Sequence, residues 1–172
     1  TLSRDFKTHT FFMGARWLRH PKLNGTLRFG YYRSDFDADE FGKASGFAMD
    51  SDLKYILSDI TVLKFRAFRY LTSTTRAERE TGNYYVSMGG DLKIDYSYWK
   101  RLPLTADFQY IRNDYEDISR LDEDYIFGIL VKYLLRDKIS ISIGYTYREK
   151  DSDLASVEYE ENRFQAIFTF SP

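Results

Sequence analysis

Few side chains in this sequence could do acid-base or covalent chemistry, and their spacing keeps them apart. The histidines are His9 and His20 alone, and the alternating pattern around them sets them at opposite ends of one extended segment. A hydrolase of the Ser-His-acid kind needs all three groups within hydrogen-bond reach at one place. Only His9 offers itself as a base, with no serine or carboxylate marked as its partner, so an interfacial histidine beside aromatic residues is the plainer reading. Acid runs occur at Asp35-Phe36-Asp37-Ala38-Asp39-Glu40 and Asp122-Glu123-Asp124. Carboxylate oxygens hold hard cations, but neither run has the spacing or turn glycine of a calcium loop, and solvated loop acids account for both. The chain has no cysteine, which excludes disulfides and thiolate metal sites. Gly89-Gly90 lies inside an alternating segment, where a glycine pair reads as close strand packing or a bend and not as a phosphate loop. No catalytic residue, metal or cofactor is assigned.

What remains is a large set of charged side chains at every second position. The segment ISISIGYTY alternates with a period of two, setting Ile139, Ile141, Ile143, Tyr145 and Tyr147 on one strand face and Ser140, Ser142, Gly144 and Thr146 on the other. In 84–100, Tyr84, Val86, Met88, Gly90, Leu92, Ile94, Tyr96 and Tyr98 share one face, while Asp91, Lys93, Asp95, Ser97 and Trp99 fall on the opposite one. The last such segment puts Phe164, Ala166, Phe168 and Phe170 on its apolar side. With the same parity elsewhere, the polar face collects Arg16, Arg28, Asp50, Asp52, Lys54, Asp107, Gln109, Lys132, Ser142, Arg148 and Arg163 as well. Acids and bases interleave, so they either pair as wall residues or shape the passage of a polar solute. In 60–73, Lys64 and Arg66 belong to the polar face, yet Phe68 and Tyr70 have the same parity; a bulge there would reset the register.

These positions require strands, predicted at 9–20, 26–36, 47–57, 60–73, 84–100, 104–116, 125–136, 139–151 and 160–170. Short joints (21–25, 58–59, 101–103 and 136–138) alternate with long polar ones (37–46, 74–83, 117–124 and 152–159). Many of the segments exceed the ~5–6 residues usual in globular strands and match the ~9–11 that cross a bilayer at a tilt. The stretch 75–81 lacks the 3.6-residue apolar spacing of a helix, and no apolar run approaches the ~18 residues of a membrane helix. A mean hydropathy of −0.50 fits a membrane barrel, in which only alternate residues meet lipid. The expected fold is all-β: an antiparallel up-and-down transmembrane β-barrel, forming one domain over residues 1–172. A net charge of −1 gives no basic excess for nucleic acid. Bacterial single-chain barrels have an even strand number. Nine strands therefore point to at least one strand upstream, in the C-terminal part of a larger barrel, unless a strand pair is miscounted or several chains close one pore. The opening TLSRDFKTH has no basic-then-apolar export signal, so the sequence is either mature or cut from something longer.

The C-terminal side resembles the β-barrel porin-2 family of Gram-negative outer membranes. The matching features are Tyr-x-Arg-x-Asp-Tyr from Tyr110 to Tyr115, the Arg/Asp loop after it, and Tyr-x-Tyr-Arg from Tyr145 to Arg148. Tyr-x-x-Asn-Arg from Tyr159 to Arg163 and, more loosely, Phe-Arg-Ala-Phe-Arg at 65–69 with Glu80 beyond also fit. The family's usual terminal aromatic is followed here by Ser171-Pro172. The resemblance implies an outer-membrane barrel, often linked to exopolysaccharide export, with no catalysis. Outer-membrane lipid, barrel-assembly machinery and polysaccharide-export or other envelope proteins are its implied partners. Three functions follow as expectations: a porin or export conduit, a barrel surrounding a guest protein such as a cytochrome or export plug, and a rim-located lipid hydrolase.

Overall fold

A computed structural model describes residues 6–18, 20–36, 43–73, 84–115, 118–136 and 138–170. The acids at 37–40 and the charged stretch 75–81 lie outside them. Nine strands follow in chain order: β1 Phe6–Trp17, β2 Leu23–Phe36, β3 Lys43–Ser58, β4 Thr61–Ser73, β5 Tyr84–Tyr96, β6 Leu104–Tyr115, β7 Arg120–Arg136, β8 Ile139–Ser152 and β9 Tyr159–Phe170. Each pairs antiparallel with its sequence neighbour in one up-and-down sheet, and β1 and β9 form its two edges. Among the described residues the only helical turn is a 3-10 turn at Ala155–Val157.

The boundaries differ from the sequence pattern in two places that matter. β5 stops at Tyr96, so Tyr98 and Trp99 leave the faces assigned to them and pack edge-on against each other in the following turn, with ring centroids 5.4 Å apart. The cause is Pro103 close ahead, which has no N–H to donate to a ladder. β7 begins at Arg120, five residues before the predicted start at 125. Strand extension also reduces the contrast between the two ends of the sheet. The connections hold five, two, seven and two residues at one end (after β1, β3, β5 and β7), and six, ten, four and six at the other.

The register in β4 is unbroken from Thr61 to Ser73 against β5, which corrects the expectation of a bulge near Phe68. Phe68 and Tyr70 share the polar face with Lys64 and Arg66. They are accommodated because Gly89 stands opposite Phe68, whose ring would lie 3.2 Å from a Cβ at that position. The register shifts that do occur fall beside the two-residue turns, between Ile56 and Ser58 and between Leu134 and Arg136. One glycine has a backbone requirement of its own: Gly25 sits at φ 141° with a Cβ position only 2.0 Å from the Asp52 carbonyl, a place closed to any L side chain.

Residues directly opposite in an antiparallel ladder share a face, so the registers assign every strand position to one of two faces. Burial is inverted relative to a soluble sheet. Among the described residues the buried side chains lie on the polar face, Ser51 and Val86 being the exceptions, whereas Phe11, Met13, Ile143, Phe164 and Phe168 on the apolar face are 64–84% exposed. A sheet curled with its polar face inward produces this distribution.

The apolar stretch also drifts along the strands. Following the ladder from Met13 through Phe29, Met49, Arg69, Met88, Arg112 and Glu123 leads to Asp151. That is eight residues beyond Ile143, the centre of the apolar stretch of β8. A stagger of about one residue per strand is what tilted barrel strands require. It carries the starts of β7 and β9 and the ends of β6 and β8 past the apolar band, where both faces are polar.

Candidate functional site

The registers gather the charged side chains into rows across the polar face. One row runs Arg16, Thr26, Asp52, Arg66, Asp91, Gln109, Ile126, Arg148, Glu161, each residue opposite the next. The next row toward the β5–β6 turn runs Asn24, Lys54, Lys64, Lys93, Asp107, Gly128, Thr146, Arg163. Arg28 stands opposite Asp50, Asp95 opposite Thr105, and Lys132 opposite Ser142. All the polar residues singled out from the sequence therefore share one face. Tyr84, Val86, Met88, Leu92, Ile94, Ile139, Ile141, Ile143, Tyr145, Phe164, Phe168 and Phe170 share the other.

Two ion pairs span neighbouring strands in the middle of the wall. Arg28 Nε donates to Asp50 Oδ2 at 3.0 Å, and Lys64 Nζ to Asp95 Oδ2 at 2.7 Å, where Thr105 Oγ1 also donates to Oδ1 at 2.9 Å. These side chains are about one-third to one-half exposed, a setting in which such pairs contribute ~0–1 kcal/mol. The wall groups thus stay accessible to solvent. Beside them Arg16, Arg28, Asp50 and Asp52 line a cleft of about 500 Å³. Aromatic faces support the guanidinium groups: Arg28 lies 5.3 Å from the Phe12 ring centre and Arg66 5.4 Å from that of Phe68.

A denser cluster sits beyond the apolar band, where β7 begins, and sequence reasoning missed it. Asp122, fully buried, accepts from Arg120 Nε and Nη2 at 2.8 and 2.7 Å, from Ser152 Oγ at 2.6 Å and from Lys150 Nζ at 3.0 Å. The Arg120 guanidinium lies 4.5 Å from the Tyr115 ring centre, and that ring packs on Tyr85 at 5.0 Å. Asp124, also buried, accepts from Arg148 Nη2 at 2.8 Å. Asp122 and Asp124 are thus buried strand residues, which overturns their reading as solvated loop acids. The available signal was the parity of Arg120, Asp122, Asp124 and Gly128, hidden because a run of charges resembles a loop.

Burial by itself would raise the Asp122 pKa, but the hydrogen bonds from Arg120, Ser152 and Lys150 outweigh it and hold the carboxyl below its ordinary value. A lowered folded pKa stabilises the fold above the unfolded value of ~3.9 and loses that contribution as the pH falls through the folded one. Amide-exchange protection at Leu121–Tyr125 should therefore persist on acidification to about pH 5 and fade only below about pH 4; loss near pH 6 would contradict the network.

The histidines do not act together. His20 Nδ1 accepts the backbone N–H groups of Lys22 and Leu23 at 3.2 and 3.0 Å, closing the β1–β2 turn. His9 faces Arg33 across the ladder, a cation where a catalytic base would need a carboxylate to orient it. Among the described residues, no group of three or more His, Cys, Asp or Glu is arranged to hold a metal.

An up-and-down antiparallel sheet of staggered strands, with charges on the sheltered face and aliphatic and aromatic side chains on the exposed one, is built as a transmembrane β-barrel wall. Residues 2–171 match the family described as putative beta-barrel porin 2, and the chain belongs to that family. Among curated proteins there is no match.

Proposed function

We propose that the chain forms wall of a porin or export conduit in a Gram-negative outer membrane, passing polar solutes, polysaccharide among them, along its charged face. The inverted burial carries this reading: a broad apolar face left bare in a soluble protein would associate, whereas lipid satisfies it and leaves the charged face to water. Porin-family membership supports the same assignment. The proposed role is passive, without catalysis or cofactor. On this reading, Phe164 and Phe170 contact lipid, assembly machinery inserts the barrel, and export or other envelope proteins meet its rims. Because β1 and β9 are both edges and run in the same direction, antiparallel closure takes an odd number of additional strands between them.

Purified full-length protein in planar bilayers should give stable single-channel currents. A guest-filled or side-chain-plugged barrel would give none, and persistent absence of current would sink the conduit reading.

A further inference from the structure

Lys54, Lys64 and Lys93 stand side by side on the polar face: Lys54 is opposite Lys64, and Lys64 is opposite Lys93. With strands about 4.8 Å apart, three ammonium-bearing chains share a strip of wall about 10 Å wide. Like charges directly opposite destabilise a strand pair, and the adjoining row avoids this by alternating Asp52, Arg66 and Asp91.

The lysine row is only partly neutralised by its own surroundings. Lys64 has Asp95 at 2.7 Å, but among the described residues no carboxylate lies within 4 Å of Lys54 or Lys93. Asp107, opposite Lys93, is turned the other way: its carboxylate oxygens lie 2.6–2.7 Å from the Cβ position of Gly128 on the next strand. At the other end of the row Lys54 faces Asn24, a neutral hydrogen-bonding residue. A broken local rule with a single ion pair to offset three ammonium groups marks positions kept for something other than stability.

We propose that Lys54, Lys64 and Lys93 form a binding step for oxyanionic groups: phosphate, sulfate or carboxylate. Each ammonium presents three donors and no acceptor, and lysine rows are a known means of selecting anions in a pore. The shared chemistry is the oxyanion, carried either by a free ion or by an anionic polymer. The proposal rests on the polar face being open to water, as the conduit reading holds.

Calorimetric titration of the full chain in detergent micelles with sodium phosphate at low ionic strength tests it without needing a current. The wild type should bind saturably. The Lys54→Gln/Lys93→Gln double variant should bind about tenfold or more weakly, the loss of two charge-assisted contacts, while Lys54→Arg/Lys93→Arg retains binding. No saturable phosphate binding by the wild type, or unchanged affinity in the glutamine variant, overturns the proposal; the wild-type arm decides even if a variant fails to fold. Oligogalacturonate binding more tightly than phosphate assigns the site to a polymer, equal or weaker binding assigns it to the free ion, and maltohexaose binding as tightly as either overturns charge recognition. Phosphate binding without bilayer currents upholds the site and removes the conduit, whereas currents without phosphate binding do the reverse.

Discussion

Ile143→Arg is expected to lower the stability of the protein in lipid vesicles by about 2–4 kcal/mol, the cost of a cation on the lipid face near the bilayer midplane. Ile143 is 64% exposed and central in the apolar stretch of β8, so in a water-exposed sheet the same change would remove little burial and cost little. Gln165→Arg, at an exposed position on the polar face of the neighbouring strand opposite Gly144, provides the contrast: its guanidinium can reach into the space that the wall charges occupy. Urea titration in vesicles, followed by the fluorescence of Trp17 and Trp99, gives both values. Equal losses for the two variants would mean that the faces are not distinguished by lipid.

Asp122→Ala should be the most damaging single change at the β7–β8 end of the sheet, by about 3–5 kcal/mol, because it leaves buried cations without their acceptor. Arg120 and Lys150 are only 8% and 18% exposed, so neither regains full hydration without strand separation. The desolvation cost of an unpaired charge exceeds what the pair itself contributes, and Asp122→Ala/Lys150→Met should recover part of the loss. Urea titration again measures it. A loss below about 1 kcal/mol, the range of exposed pairs, would show that the cluster is solvated.

Most of the fold is legible in the sequence because a period of two leaves little freedom. Once Ile139, Ile141 and Ile143 set one face, the antiparallel register carries the same parity to Phe168 on one side and to Tyr133 on the other. What escaped were places where composition and geometry disagree. Arg120 to Asp124 looks like a loop because the stretch is charged, yet it is strand because Arg120 and Lys150 neutralise what a strand would otherwise not bury. Phe68 looks misplaced on a polar face, yet the missing side chain of Gly89 gives its ring room, a cross-strand fact that no single segment contains. Tyr98 and Trp99 continue the alternation in sequence after the ladder has ended. The drift of the apolar band is likewise invisible along any one strand, since it appears only when Met13 and Asp151 are linked through seven registers.

The absence of cysteine allows the central claim to be tested position by position. Single cysteines placed along β9 from Arg163→Cys to Thr169→Cys, in full-length protein inserted into vesicles, can be probed with a charged thiol reagent and with a lipid-soluble quencher of an attached fluorophore. With the apolar face in lipid and the polar face lining a water-filled passage, the exposed polar-face positions 163, 165 and 169 should react with the charged reagent, and 164, 166 and 168 should be quenched from the lipid. Loss of this two-residue alternation, or its reversal, would contradict the account.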